Sequence, residues 1–292
     1  MTVADQVPVV ADRSEAQQFV TLGPDSIFWR ISADWRGALL AGRVLIMQVA
    51  HPVVGAGVGE HSVYKTDPYG RLERTTRSTM RFIYGEEEAH AEGERLRQMH
   101  REIKGIDEKG RRYSALNPEA YLWVHATAFE LGIVFHELFA TPLTADQQEQ
   151  LFQEWRTIGW RLGIPTHHIP NTQAEFWDFW YGVLPRLENN QVVQDLLWGS
   201  TAAPPKVPEF IFRPLSNSLS NSTRRLTAYS LPEEIRERIG LAPLTSKEER
   251  KVRRLLAGMR FLGDHLPPRL LSTPMAWTAR TKAIARQLTA AP

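Results

Sequence analysis

Residues 117–140 read NPEAYLWVHATAFELGIVFHELFA. Asn117 is a favoured N-cap residue and Pro118 is favoured at the first helical position, so a helix is predicted to begin here and to run to about Ala140. Apolar side chains surround nearly the whole helix axis, a pattern typical of a helix buried in the middle of a protein. The segment therefore predicts an all-α core built around one central helix.

Helical periodicity continues through most of the chain, and we find no convincing run of alternating apolar and polar residues that would predict strands. The further predicted helices cover about 25–33, 36–50, 71–84, 86–104, 144–162 and 173–198, the last of them interrupted near Pro185. A capping-box pattern opens the helix at Thr144. We expect the glycine-rich run Gly55–Gly59 to be a loop and the proline-containing run 199–217 to be an extended connection. Two more helices, with caps at Ser230 and Thr245, are predicted to follow.

The predicted organisation has three parts, which are a flexible N-terminus at 1–13, a main helical domain at 14–200 and a C-terminal helical extension packed on it at 201–292. The first residues have neither a basic region nor an apolar core, so no secretory signal is predicted. The apolar run 37–59 is interrupted by Arg43, Gln48 and His51, which favours a buried helix over a membrane span. A cytoplasmic protein is therefore expected.

The composition is that of a globular protein and excludes several kinds of chemistry. A chain of 292 residues with 42% hydrophobic and 23% charged residues can bury a substantial core. The 35 basic and 33 acidic residues nearly balance, so a nucleic-acid partner is not predicted. The absence of cysteine excludes disulfides, iron–sulfur ligation, thiolate-ligated haem and a cysteine nucleophile. Nine tryptophans indicate large apolar cavities or interfaces.

His100 is the most informative polar residue. At 3.6 residues per turn it shares one narrow, mostly apolar stripe with four other residues, Ala89, Gly93, Leu96 and Ile103. Charged residues, Glu92 among them, are expected to cover the rest of this helix. An inward imidazole needs a partner, because desolvating an unpaired polar group costs about 1–3 kcal/mol. That partner could be a backbone carbonyl, a carboxylate or a metal, and a structural role is the usual one for a lone histidine.

A second candidate feature is a polar helix face. Arg71, Arg74 and Thr75 have i, i+3, i+4 spacing, so one face presents two guanidinium groups and a hydroxyl. Such donors could stabilise a developing oxyanion or anchor carboxylates. The alternative is a solvated helix face without a specific role.

The remaining candidate histidines lie on or beside predicted buried helices. His125 and His136 are three turns apart and share a face with Gly132, which would let a flat group approach the backbone closely. For His136 in particular, the alternative is a core histidine with its hydrogen bonds satisfied. His51 ends a buried helix before Pro52, and the alternative there is that it caps helix carbonyls.

Taken in chain order, several short runs resemble one protein family. They are Gln48–Pro52, Gly57-Val58, His61-Ser62, Arg71–Thr75, Met99-His100 with Gly105, and Trp123–Thr127. The family contains the bacterial latex-clearing rubber oxygenases and the fungal mycophenolic-acid pathway oxygenase, and was long catalogued as a domain of unknown function. The resemblance covers roughly residues 25–190. It implies a globin-like helical bundle with a b-type haem on one axial histidine. It also implies an enzyme that inserts dioxygen across an isoprenoid double bond.

The resemblance also implies roles for particular residues. It matches His100 to the axial iron ligand, makes His125 the second choice for that ligand or a residue of the distal pocket, and marks His51 as a further cofactor-binding position. It places a basic and hydroxyl set on the distal side of the haem, here Arg71, Arg74 and Thr75.

The predicted function is therefore a haem-b-dependent oxygenase that takes O2 and a small apolar substrate, with an isoprenoid or other alkene as its class. The alternative is a non-catalytic haem-binding or lipid-binding helical protein. No zinc-protease, nucleophile-elbow or phosphate-loop motif competes with these hypotheses. The basic face of the helix at 247–262 carries Lys251, Arg253, Arg254 and Arg260. A solvated helix packed on the main body is expected there, with membrane-surface contact as the alternative.

Overall fold

The structure, a computed structural model, describes residues 18–85, 87–199 and 209–290, so the N-terminus predicted to be flexible at 1–13 lies outside the described residues. The described residues form fourteen α-helices and one small antiparallel sheet, and the all-α class is confirmed. The helices are α1 Ile27–Ala33, α2 Ala41–Val49, α3 Pro52–His61, α4 Pro68–Tyr84, α5 Glu87–Arg101, α6 Pro118–Phe139, α7 Ala145–Arg161, α8 Gln173–Val183, α9 Gln191–Trp198, α10 Glu209–Ser230, α11 Glu233–Arg238, α12 Ser246–His265, α13 Pro268–Leu271 and α14 Pro274–Ala290. The sheet pairs β1 Lys104–Ile106 with β2 Arg112–Ser114, and short 3₁₀ helices cover Trp35–Leu40, Thr166–His168 and Leu184–Arg186.

The central helix is α6, as the sequence predicts. The Asn117 side chain accepts a hydrogen bond from the Ala120 amide at 3.0 Å, which caps the helix. Helices α2, α7, α8 and α12 pack around it. Trp123 and Phe129 of α6 are fully buried, and the indole nitrogen of Trp123 donates to the Met47 carbonyl at 2.8 Å. A helix that is apolar on nearly all sides thus packs against neighbours on several sides.

Aromatic rings form much of the core. Phe129, Phe152, Trp155 and Phe176 are fully buried, and their ring centroids lie 4.7 to 6.4 Å apart. Edge-to-face and offset pairs at such distances each add about 0.5–1.5 kcal/mol beyond the area they bury. The high tryptophan content therefore serves core packing, at least at Trp155.

The C-terminal helices share this core. Ala228, Leu231, Ile235 and Ala276 belong to the same buried cluster as the residues of α6 and α7. Helix α12 packs on α6 and α10, while α14 packs on α1 and α4. The capping box predicted for α7 at Thr144 is present, and Thr245 caps α12 in the same way. The predicted cap at Ser230 is wrong, because α10 ends at that residue and Pro232 precedes α11.

Three predicted loops or helix ends differ in the structure. Residues Gly55–Gly59 lie inside α3 and do not form a loop. Gly55 and Gly57 pack closely against neighbouring side chains, which a larger residue would displace. Helix α5 ends at Arg101 and the chain turns into the hairpin instead of continuing to residue 104. Within the run predicted as extended, α10 begins at Glu209, so a proline at 214 follows the helix start; residues 200–208 lie outside the described part.

The apolar run 37–59 forms two helical segments and not one. Its break lies at Ala50 and His51, where the segments Trp35–Val49 and Pro52–His61 meet at 105°. In the described part of the chain no single helix has the length and apolar character needed to cross a membrane, and this bent pair passes that test only when joined. The bend matters for the site because the buried ring of His51 lies there and contacts Glu119 at the start of α6.

Candidate functional site

His51 lies at the bend between α2 and α3, at the N-cap position of α3. Neither ring nitrogen bonds a helix carbonyl in the described residues, so the alternative that His51 caps helix carbonyls is not supported. Instead Nε2 lies 3.3 Å from Oε1 of Glu119, in the first turn of α6. Nδ1 is buried and has no hydrogen-bond partner in the described residues. Burial lowers the pKa of this imidazole, although Glu119 opposes the shift.

The Glu119 carboxylate connects His51 to the surface. Both of its oxygens lie 2.7 Å from Nη1 of Arg186, which is half exposed. In metal-ligating histidines, one ring nitrogen binds the metal and the other is commonly oriented by a carboxylate. His51 therefore has the geometry of a candidate ligand, with Nδ1 as the free nitrogen.

His100 lies in the last turn of α5 and faces inward, as its helical stripe predicts. Its ring contacts Tyr121 of α6 edge-on, with centroids 5.7 Å apart and planes at 83°. Nδ1 is buried and lacks a hydrogen-bond partner among the described residues. Burial, with a smaller effect of Arg95, lowers the pKa of His100, which favours the neutral imidazole that can bind iron. Of the three partners proposed from sequence, neither a backbone carbonyl nor a carboxylate bonds the buried Nδ1 in the described residues, which leaves a metal.

Glu92, expected on the solvated face of α5, is buried instead. It accepts hydrogen bonds from Ser78 of α4 at 2.6 Å and from Arg81 at 3.1 Å. The hydrogen bond from Arg95, helped by those from Ser78 and Arg81, lowers the pKa of the Glu92 carboxyl to about 2. The prediction failed because the position borders the apolar stripe, and a paired carboxylate can be buried there.

His125 is a packed core histidine. Its ring stacks on Trp155 at 4.7 Å, and Nε2 lies 2.9 Å from the Trp155 carbonyl oxygen, to which it must donate. Gly159 packs against the same ring edge, where even a Cβ would lie 2.9 Å from Nε2. Burial lowers the pKa of His125 to about 4. With Nε2 engaged and enclosed, the structure does not support His125 as the second choice for the axial ligand.

The surface predicted at Gly132 is also filled by protein. A Cβ placed on Gly132 would lie 2.8 Å from Leu151 and 3.5 Å from Ile31, so the glycine admits a neighbouring helix and not a flat ligand. His136, on the same helix, has Nδ1 3.1 Å from the Thr141 carbonyl oxygen. This matches the satisfied histidine that was the alternative at that position.

The basic face of α4 divides into one half-buried and two exposed residues. Arg71 is half buried and has no ion pair among the described residues, and burial together with Arg74 lowers the pKa of its guanidinium. Arg74 is exposed and pairs with Asp67 at 3.0 Å, and Thr75 is exposed as well. In the described part of the chain, no hydrogen bond or ring contact joins these residues to His51 or His100. The solvated-face alternative therefore fits Arg74 and Thr75.

Another hydrogen-bonded group lies where α3 meets the hairpin. The Tyr113 hydroxyl donates to the Glu60 carboxylate, and its oxygen lies 3.1 Å from Nε2 of His61. Burial, followed by the hydrogen bond to Glu60 and the charge of that carboxylate, raises the pKa of Tyr113 to about 12. Tyr113 and Glu60 are 53 residues apart, so no spacing signal in the sequence could have found this pair.

An open groove of about 410 Å³ borders the start of α6. It is lined by Asn117, Pro118, Glu119, Leu122, His167, His168 and Phe179. The groove therefore shares Glu119 with the His51 cluster. Glu119 thus contacts the buried His51 ring and also lines a solvent-open groove that has both polar and apolar side chains.

The described residues include no group of three or more histidine, aspartate or glutamate side chains placed to hold a metal ion. Haem iron, in contrast, takes only an axial ligand or two from the protein. His51 and His100 each offer one buried ring nitrogen that has no partner among the described residues, and both rings lie against the first two turns of α6. The donor set therefore fits a haem better than a directly bound ion.

The family model for the catalytic domain of the ER-bound oxygenase mpaB/B′ and rubber oxygenase matches residues 29–261. The chain therefore belongs to this family of oxygenase catalytic domains. The match extends the resemblance seen in the sequence beyond α9 and into α12.

Relatives with known sequences include uncharacterized proteins of Mycobacterium tuberculosis and Mycobacterium bovis. Each is 27% identical over 167 residues, which is 55% of this chain and 65% of the relative. The match thus spans less than two thirds of the relatives' length. No solved structure matches the chain.

Proposed function

We propose that the chain is a haem-b-dependent oxygenase that acts on a small apolar substrate of the isoprenoid or other alkene class. Two observations support this function: the chain belongs to an oxygenase family, and the buried Nδ1 of His100 has no partner in the part of the chain that the structure describes. An imidazole nitrogen left without a partner away from water costs about 1–3 kcal/mol. A bond to iron would remove that cost.

His100 is proposed as the axial ligand because its ring is held edge-on by Tyr121 and not by a hydrogen bond from a competing group. His51 is a second candidate for a position on the cofactor, with Glu119 orienting its ring. When bound, haem supplies an iron that binds and activates dioxygen. The α6 residues that contact these two rings would then position the imidazoles.

Arg71 is proposed to bind a carboxylate at the edge of the cofactor. Its guanidinium is half buried and has no ion pair in the described residues, so a propionate would supply the missing counter-charge. Arg74 and Thr75 are exposed, and an oxygen-polarising role for them is not part of the proposal. Of the predicted basic set, only Arg71 thus keeps a cofactor role.

Oxygen uptake tests the proposed activity. Protein reconstituted with hemin should consume O2 without a reductase when given a polyprenoid alkene, and carbonyl products should form in proportion. The saturated analogue of the same chain length serves as the matched substrate control, and free hemin as the protein control. Haem-loaded protein that consumes no O2 with any alkene would instead support the non-catalytic carrier.

A further inference from the structure

The outward face of α12 carries several cations for which the described residues supply no ion-pair partner. Val252 and Leu256 turn the opposite face of this helix toward the core. The outward line contains Lys247, Arg250 and Arg254, at the spacing of successive helical turns. All three are exposed, and in the described part of the chain no ion pair or hydrogen bond of their side chains is present. Lys251 lies beside them and is also exposed and unpaired there.

Glu248 and Glu249, the acidic residues in the first turn of α12, do not neutralise these cations. Glu248 caps α12 through Thr245 and pairs with Arg225 of α10 at 2.9 Å, so its charge is already used. Glu249 is half buried and follows Glu248 on the inner side of the first turn. The outward line from Lys247 to Arg254 therefore presents positive charge alone.

Apolar side chains project at the other end of this face. Phe261 continues the outward line and is 60% exposed, and Leu270 of α13 is also 60% exposed. Arg36 donates to the Met259 carbonyl at 2.9 Å and Trp35 donates to the Leu270 carbonyl at 3.1 Å. Consecutive residues thus bind the backbone at Met259 and at Leu270, so the end of α12 and the end of α13 lie against the same short segment.

We propose that this face, defined by Lys247, Arg250, Lys251, Arg254, Phe261 and Leu270, binds a membrane surface that contains anionic lipid. The four cations match lipid phosphates, and clusters of this size on an amphipathic helix are typical of such contacts. Phe261 and Leu270 would enter the boundary between head groups and acyl chains. The inference does not depend on haem binding or on oxygenase activity.

The apolar pair decides between a membrane and a nucleic acid as the partner. Basic side chains alone would fit either polyanion, because both present phosphates. A leucine side chain cannot stack on a nucleic-acid base, and it gains free energy only when it is buried in an apolar phase. The combination of unpaired cations with an adjacent aromatic and aliphatic side chain therefore favours the lipid surface.

Co-sedimentation of the full chain with vesicles tests the proposal. The chain should pellet with vesicles of phosphatidylcholine mixed with phosphatidylglycerol, and not with phosphatidylcholine alone. The Arg250→Gln/Arg254→Gln variant should bind roughly tenfold or more weakly. The Phe261→Ser/Leu270→Ser variant should lose the part of the binding that survives high salt.

The matched control removes two exposed, unpaired cations elsewhere, Lys104→Gln and Arg112→Gln on the hairpin, and should bind like the unaltered chain. All the substituted side chains are exposed, and an unchanged far-UV circular dichroism spectrum verifies folding. The proposal is overturned if the control weakens binding as much as the α12 variant. It is also overturned if neither vesicle binds, or if duplex DNA competes the chain off anionic vesicles.

Discussion

His100→Ala should abolish hemin retention while leaving the helices folded. The substitution removes the proposed iron ligand itself. Changes to residues around a metal ligand typically lower metal affinity by about 10–100-fold. Loss of the ligand should cost more, so the affinity for hemin should fall by more than about 100-fold. Stability should change little, because the ring makes an edge contact with Tyr121 and its buried Nδ1 has no hydrogen bond in the described part to lose. Gel filtration after hemin loading, followed by absorption and circular dichroism spectra, measures both effects.

Two comparisons separate ligation from a structural role. Added imidazole should restore hemin binding to His100→Ala, because it can occupy the space of the lost ring and bind iron there. His51→Ala should keep hemin, since His51 is only the second candidate. Full hemin retention by His100→Ala, or its loss in His51→Ala alone, would contradict the assignment of His100.

Glu130→Gln should destabilise the fold by about 3–5 kcal/mol, a large fraction of the 5–15 kcal/mol typical of a folded domain. Glu130 of α6 is paired with Arg43 of α2, and both side chains are buried. Nη1 of Arg43 already lacks a partner in the described residues. Removing the carboxylate would leave a charged guanidinium in the core without compensation, and chemical denaturation followed by circular dichroism measures the loss.

The design of that experiment includes a rescue and a control. The double variant Arg43→Met/Glu130→Met should recover most of the lost stability, because an apolar pair of similar size replaces the ions. Glu73→Gln, which breaks an exposed ion pair with Arg77, should change little. A Glu130→Gln protein as stable as the unaltered chain would show that the pair does not hold α2 against α6.

Local signals sufficed for much of the fold. Asn117 and Pro118 mark the start of α6, and the Thr144–Gln147 capping box marks the start of α7, because both devices act within one helical turn. The helix end before His51 was predicted, but the helical state of Gly55–Gly59 and the hairpin were missed. Strands of three residues are too short to show alternation, and their pairing of Lys104 with Ser114 depends on a turn at Gly110, where φ is +77°.

The candidate site was predictable only in part. Periodicity correctly indicated that the His100 ring faces inward, because the direction of a side chain follows from its position on the helix. Partners from distant elements leave no such signal. Glu119 is 68 residues from His51, and the carbonyl that satisfies His125 belongs to Trp155, 30 residues away. Sequence alone could not tell which histidine lacks a partner.

The proposed function depends above all on a b-type haem held by His100. The most direct test is the absorption spectrum of the protein purified after expression with added haem precursor. A protein that holds haem b should show a Soret band that persists through gel filtration, together with the pyridine haemochrome spectrum of haem b. A flat spectrum that stays flat after titration with hemin would contradict it.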